Sequence, residues 1–117
     1  RSGGWGAYSD VRLKKDIEPL DHTRGLGLIE DLRPVQYRMK YTKPGWQERP
    51  KYGLIAQEVE ATMSSLGLGP HSVYNDTNPE EWTLEYAQFI APLVKAVQEL
   101  SAQVKTLQAE VNALKGQ

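Results

Sequence analysis

An unbroken seven-residue apolar repeat runs through residues 86–114, whose sequence is YAQFIAPLVKAVQELSAQVKTLQAEVNAL. The spacing between successive apolar residues alternates between four and three, which is typical of an α-helix that supercoils against copies of itself. The repeat therefore predicts a long coiled-coil helix over residues 85–117. Its apolar residues are Tyr86, Ile90, Leu93, Val97, Leu100, Val104, Leu107, Val111 and Leu114.

The length of this helix indicates what it packs against. About 30 residues of α-helix span roughly 45 Å, which is longer than a small domain is wide. Because one small globular part cannot bury so long and narrow an apolar stripe, we expect the stripe to contact other copies of the chain. Valine at one core position and leucine at the other favour two strands in parallel coiled coils, a preference that a preceding globular part can override. The alternative is a single amphipathic helix packed on its own domain.

The composition of the chain excludes several classes of protein. The 117 residues carry 14 basic and 15 acidic side chains, for a net charge of −1, which favours binding neither to nucleic acid nor to a membrane. No apolar run is long enough to span a bilayer, and no secretory signal is present. Since the chain has no cysteine and only His22 and His71 as histidines, we expect no disulfide, no metal and no cofactor. The chain begins with arginine, and we expect it to be the C-terminal part of a longer protein.

The residues before the repeat predict a small head of mixed structure. Glycine-rich residues 1–8 predict a linker or the end of an upstream domain, and residues 9–84 predict the head. We expect the α+β class, with short strands and helices followed by the long helix in a parallel coiled coil. Strands are predicted at 11–13, 35–41, 52–56 and 73–74, and helices at 21–32, with Asp21 as its cap, and at 57–64.

A compact polar cluster, SDVRLKKD, occupies residues 9–16. Ser9 could serve as a nucleophile if a base lies close to it, and the nearest candidates in sequence are Lys14 and Lys15. A lysine acts as a base only where burial or neighbouring charges lower its pKa from about 10.4 towards neutrality. The neutral amine could then accept the serine proton as the hydroxyl oxygen attacks a carbonyl. The alternative is a solvated, charged strand end.

Several blocks of sequence resemble the intramolecular chaperone auto-processing domain. This self-cleaving chaperone forms the end of phage tail spikes, tail fibres and endosialidases, and a relative occurs in a membrane-bound transcription factor of animals. The first and third blocks are specific, whereas the last alone would match many coiled coils. The blocks are SDVRLKKDI at 9–17, LRPVQY at 32–37, GLIAQEV at 53–59, LEY at 84–86 and LVKAVQEL at 93–100.

The resemblance implies a homotrimer that guides folding of an upstream β-rich fibre or spike domain of the same chain and then cuts itself off. It places the cut between Tyr8 and Ser9, and it assigns catalysis to Ser9 and Lys14. Asp10 matches a motif position beside the cut, where we expect it to position the scissile peptide or the lysine. The implied activity is that of a single-turnover serine-type peptidase with no external substrate. It would act in the host cytoplasm during assembly, and the parent protein would belong to the virion tail.

The local chemistry agrees with this cut in part. Ser9 Oγ can reach the carbonyl of Tyr8 through a five-membered ring, so no separate substrate site is needed, and water then opens the resulting ester. In a regular strand, however, the side chain of Lys14 would lie on the face opposite to Ser9. Either a bulge or turn interrupts the strand, or Lys14 of a neighbouring chain completes the site.

Two other readings of the sequence differ in function. A non-cleaving trimerisation module that stays attached to the fibre would have the same fold and differ only at Ser9 and Lys14. A hydrolase that acts on other molecules is disfavoured, because the sequence shows no second acid–base constellation. Gln57 and Glu58 lie at a predicted strand-to-helix junction, where we interpret them as a cap and a first-turn acid rather than as catalytic groups.

Overall fold

The computed structural model describes residues 8–40 and 49–116. It has a head of short strands and helices followed by one long helix, which confirms the predicted α+β class. Residues 1–7 of the linker predicted at 1–8, Tyr41 at the end of the strand predicted at 35–41, and the last residue, Gln117, lie outside the described residues. The strand predicted at 35–41 is shorter than expected, because it ends at Tyr37. The α-helices are α1, Leu26–Asp31, α2, Ala56–Ser65, and α3, Ile90–Lys115. The strands are β1, Val35–Tyr37, β2, Lys51–Gly53, β3, Tyr74–Asn75, and β4, Thr83–Leu84. Short 3₁₀ helices lie at Val11–Leu13, His22–Arg24 and Tyr86–Phe89.

The strands form two small antiparallel pairs. In one pair β1 lies beside β2, with Val35 opposite Gly53, and in the other β3 lies beside β4, with Tyr74 opposite Leu84. The strand predicted at 52–56 is too long, because α2 already begins at Ala56. The strand predicted at 73–74 is shifted by one residue, and its two-residue partner β4 was not predicted because so short a strand shows no alternation.

The core forms where α1, α2 and β3 meet the beginning of α3. Val59 and Met63 are buried on one face of α2, which confirms the helix predicted there. The helix predicted at 21–32 is instead two elements, because the chain departs from helical geometry at Gly25. Asp21 caps the first element, as predicted, by accepting a hydrogen bond from Arg24 N–H at 3.1 Å. The buried core residues are Leu28, Val59, Met63, Val73, Tyr74 and Phe89.

The head packs against only one stripe of α3. Ala96 is 3% exposed, and Phe89 and Glu99 lie on the same side of the helix, about two turns before it and about one turn after it. Gly25 allows the close approach, since a Cβ atom there would lie 2.6 Å from Glu99 Oε1 and closer still to Lys95 Cγ. Pro92 lies in the first turn of α3, where its missing N–H breaks no helical hydrogen bond.

The apolar repeat lies on a neighbouring stripe of α3 that the head leaves uncovered. From Ile90 onwards its residues are between 43% and 69% exposed, and every residue from Ser101 to Gly116 is exposed. Helix α3 thus extends beyond the head with its apolar stripe open along its length. None of the described helices is long and apolar enough to cross a membrane.

Glu99 joins α3 to the first residue of α1 and to the segment that precedes it. Its Oε1 accepts a hydrogen bond from Leu26 N–H at 3.0 Å, and its Oε2 contacts His22 Nδ1. The hydrogen bond from Leu26, followed by the one with His22, lowers the pKa of Glu99. The hydrogen bond with Glu99 raises the pKa of His22, and the charges of Glu30 and Asp21 act in the same direction.

These shifts predict how the stability of the fold depends on pH. The pKa of His22 is raised above its ordinary value of 6.5, so its contribution to stability is fully present below that value and is lost as the pH rises through the raised pKa. The pKa of Glu99 is lowered below its ordinary value of 4.5, so its contribution is present above that value and is lost as the pH falls through the lowered pKa. We therefore expect the pair to stabilise the fold most between about pH 5 and 6.5.

Thermal unfolding at about pH 5.5 and pH 8 tests this expectation. The loss of stability from the lower to the higher pH should be smaller in His22→Gln than in the unchanged chain. An equal pH difference in His22→Gln and the unchanged chain would show that the contact between His22 and Glu99 does not contribute.

Candidate functional site

The polar cluster at residues 9–16 contains a turn where a strand was predicted. Residues 11–13 form a 3₁₀ helix, in which Leu13 N–H donates to Asp10 O at 3.0 Å and Lys14 N–H donates to Val11 O at 3.2 Å. Asp10 caps the turn, because its Oδ1 accepts a hydrogen bond from Arg12 N–H at 2.8 Å. The prediction of a strand was wrong because this side-chain bond gives the backbone an alternative to the extended conformation.

The turn brings Lys14 back to Ser9. Lys14 Nζ donates a hydrogen bond to Ser9 Oγ at 2.9 Å, although five residues separate the two in sequence. The turn is one of the two arrangements that the sequence left open, and in the single chain it brings Lys14 to Ser9. A lysine from a neighbouring chain, the other arrangement, stays a prediction. The contact is within the distance that proton transfer between a nucleophile and its base requires.

Asp10 is held by Arg12. Arg12 Nε lies 3.1 Å from Asp10 Oδ1 and 3.2 Å from Oδ2, and Nη2 lies 2.7 Å from Oδ2. The side-chain hydrogen bonds from Arg12, and then the bond from its backbone N–H, lower the pKa of the Asp10 carboxyl. Asp10 thus contacts Arg12 and the turn, not Lys14, and the role that the sequence suggested for it stays a prediction.

Arg12 is the residue of this site that the sequence analysis did not single out. The only sequence signal for it is an aspartate two residues before an arginine, which is a common arrangement. Its importance becomes visible only with the geometry, since one carboxylate serves both as the cap of the turn and as the partner of the guanidinium.

The surroundings of the site are open and partly apolar. Val11, Leu13 and Ile17 are each between 66% and 69% exposed, and Tyr8 is 69% exposed. Among the described residues no group of three or more potential ligands could hold a metal ion.

None of the described hydrogen bonds joins Gln57 or Glu58 to residues 9–16. Glu58 is in the first turn of α2 and accepts hydrogen bonds from Arg33, from Nε at 3.0 Å and from Nη2 at 2.6 Å. No side-chain hydrogen bond caps α2, so the capping role predicted for Gln57 was wrong. The structural role predicted for Glu58 agrees with its place in the helix.

The chain matches the model of a known protein family. A family model described as chaperone of endosialidase matches residues 9–68, which is 60 of the 117 residues. The chain therefore belongs to this family. The family is named peptidase S74, which classes it among the serine-type peptidases. The matched segment begins at Ser9 and ends just beyond α2, so it contains the candidate site and leaves α3 outside. No curated protein was found to match the chain.

Proposed function

We propose that this chain is a C-terminal intramolecular chaperone that trimerises, directs the folding and assembly of an upstream phage tail spike or fibre, and then releases itself by cutting between Tyr8 and Ser9. Membership of the family of endosialidase chaperones supports the chaperone role. The observation that carries the cut is the 2.9 Å contact between Lys14 Nζ and Ser9 Oγ, at the residue where the family match begins.

Association through α3 follows from its uncovered stripe. A valine or leucine side chain that passes from water into a packed core contributes about 1.5–3 kcal/mol, and the stripe has such a residue at every repeat position after Ile90. The head cannot bury the stripe, because it already packs on the neighbouring one. Copies of the same stripe are suitable partners, because the repeat has the period of a coiled coil. The three-stranded order of the proposal follows the resemblance of the sequence.

The cut proceeds by an acyl shift followed by hydrolysis. Ser9 Oγ attacks the carbonyl carbon of Tyr8 while its proton passes to Lys14 Nζ. The bond between the Tyr8 carbon and the Ser9 nitrogen then breaks, and the departing nitrogen takes the proton from the lysine. The product is an ester between Tyr8 and Ser9 Oγ, which water hydrolyses to a Tyr8 carboxylate and a free Ser9. Covalent tethering of the reacting atoms supplies much of the rate.

The exposure of the site indicates how cutting is timed. A lysine accepts a proton only in its neutral form, and burial of the amine favours that form. In the single chain Ser9 and Lys14 are exposed, as are Val11 and Leu13 beside them. Cover from an assembled neighbour would bury both the apolar side chains and the amine. On this proposal the chain cuts only after the fibre has assembled.

Cleavage variants of the full chain, with its upstream domain present, test the proposal. The unchanged chain should yield a fragment that begins at Ser9, which N-terminal sequencing and mass spectrometry identify. Ser9→Ala should abolish the cut, and Lys14→Ala should slow it by about 10²–10⁴-fold, the usual contribution of a general base. Lys15→Ala removes an equal charge one residue away and should cut at the normal rate. A Ser9→Ala chain that is still cut would contradict the proposed chemistry, and an unchanged chain that stays whole would leave the non-cleaving trimerisation module as the function.

Mixed assemblies test whether the two catalytic residues act within one chain. Ser9→Ala chains and Lys14→Ala chains are refolded together, so that each assembly contains both kinds. Because Lys14 contacts Ser9 of its own chain, we expect no recovery of cutting in the mixture. Cutting of the Lys14→Ala chains in the mixture would show instead that the lysine comes from a neighbour.

A further inference from the structure

We propose that Arg12 is a positioning residue of the self-cleavage site, which holds the Asp10 carboxylate so that Lys14 stays on Ser9 and remains free of Asp10. This inference rests on the self-cleavage proposed above and adds to it a residue with a stated task. Arg12 acts in two ways, through the geometry of the turn and through the charge near Lys14.

The geometry comes from a double attachment of Arg12 to one carboxylate. The guanidinium contacts both oxygens of Asp10 through Nε and Nη2, and the backbone N–H of the same arginine donates to Oδ1. A planar fork of this kind is specific to arginine, because a lysine ammonium offers a single point charge. Arg12 therefore fixes the side chain of Asp10 in the orientation that caps the turn.

The turn also determines whether the side chain of Lys14 can reach Ser9. All the hydrogen bonds described for this segment join residues within 9–14, so its shape depends on its own side chains. The side chain of Lys14 has four rotatable bonds, and its amine can reach Ser9 Oγ only while residues 11–13 hold the turn. An exposed ion pair adds little to the stability of a whole domain, so the loss of Arg12 should loosen the turn without unfolding the head.

Arg12 also affects the charge near Lys14, the proposed base. An Asp10 carboxylate without Arg12 would lie a few residues from the amine of Lys14, with no other cation bound to it. An ion pair between them would favour the protonated amine and oppose its action as a base. In the structure the four hydrogen bonds described for the Asp10 carboxylate all come from Arg12. Arg12 thus keeps the carboxylate occupied and leaves the lysine to the serine.

The rate of self-cleavage of the full chain as a function of pH tests both effects of Arg12. Arg12→Ala should cut about 10- to 100-fold more slowly than the unchanged chain, because small misplacements of a base are costly. The midpoint of its pH–rate profile should also move to higher pH, a change that a merely structural role would not cause. Arg12→Lys restores the charge without the fork, so its midpoint should return towards that of the unchanged chain while its rate stays low.

Two further variants separate the possible outcomes. Arg12→Ala combined with Asp10→Asn removes the carboxylate, so the midpoint should return although the turn is still loosened. Lys15→Ala is the matched control for loss of a basic side chain and should behave like the unchanged chain. Thermal unfolding of each variant checks that the head is intact. Normal cutting with an unmoved midpoint in Arg12→Ala would overturn this inference alone, whereas a chain that stays whole in every variant would overturn the self-cleavage proposal as well.

Discussion

The arrangement of this chain depends on the close approach of the head to one stripe of α3. Glu99 on that stripe accepts a hydrogen bond from Leu26 N–H at 3.0 Å and contacts His22, and the absence of a side chain at Gly25 lets the two elements meet. Because a helix turns by about 100° per residue, a stripe one residue further round remains open. The apolar repeat occupies that open stripe, so the head is fixed to the helix without covering the surface proposed for assembly.

The proposed cleavage site is organised on a different principle. It needs no cleft, because nucleophile, base and scissile carbonyl all lie within residues 8–14 of one segment. A short turn replaces the usual scaffold and is held by the carboxylate of Asp10 and the guanidinium of Arg12. Such a site can lie exposed in the single chain and gain its surroundings from a neighbour, which would link the cut to assembly.

The elements that the sequence predicts well are those whose determinants are local and periodic. The repeat of residues 86–114 predicts α3, although its first turn is a 3₁₀ helix, and the spacing of Val59 and Met63 predicts α2. Where a single side chain or a short strand pairing decides the structure, the periodicity of the sequence does not predict it. The turn at 11–13 depends on one bond from Asp10, and β4 exists only because Thr83 and Leu84 meet β3.

The candidate site, like the fold, could be predicted from the sequence only in part. Motif resemblance predicts that Ser9 and Lys14 act as a pair, whereas alternation in a strand would have placed them on opposite faces. The contact between them is explained by the turn, which includes the bond between Arg12 and Asp10. The spacing of Arg12 from Asp10 is too common to be noticed in a single sequence.

Sedimentation equilibrium of the Ser9→Ala chain tests the central claim most directly, because on the proposed mechanism this variant cannot cut itself and so keeps the upstream residues attached. The account predicts a mass of three protomers. It also predicts that Val104→Asp, which places a charge in the apolar stripe, lowers the mass to that of one protomer, while Ala109→Asp on the outward face leaves it unchanged. A single-protomer mass for the Ser9→Ala chain at micromolar concentration, with α3 intact by circular dichroism, would contradict the claim that α3 assembles the chain.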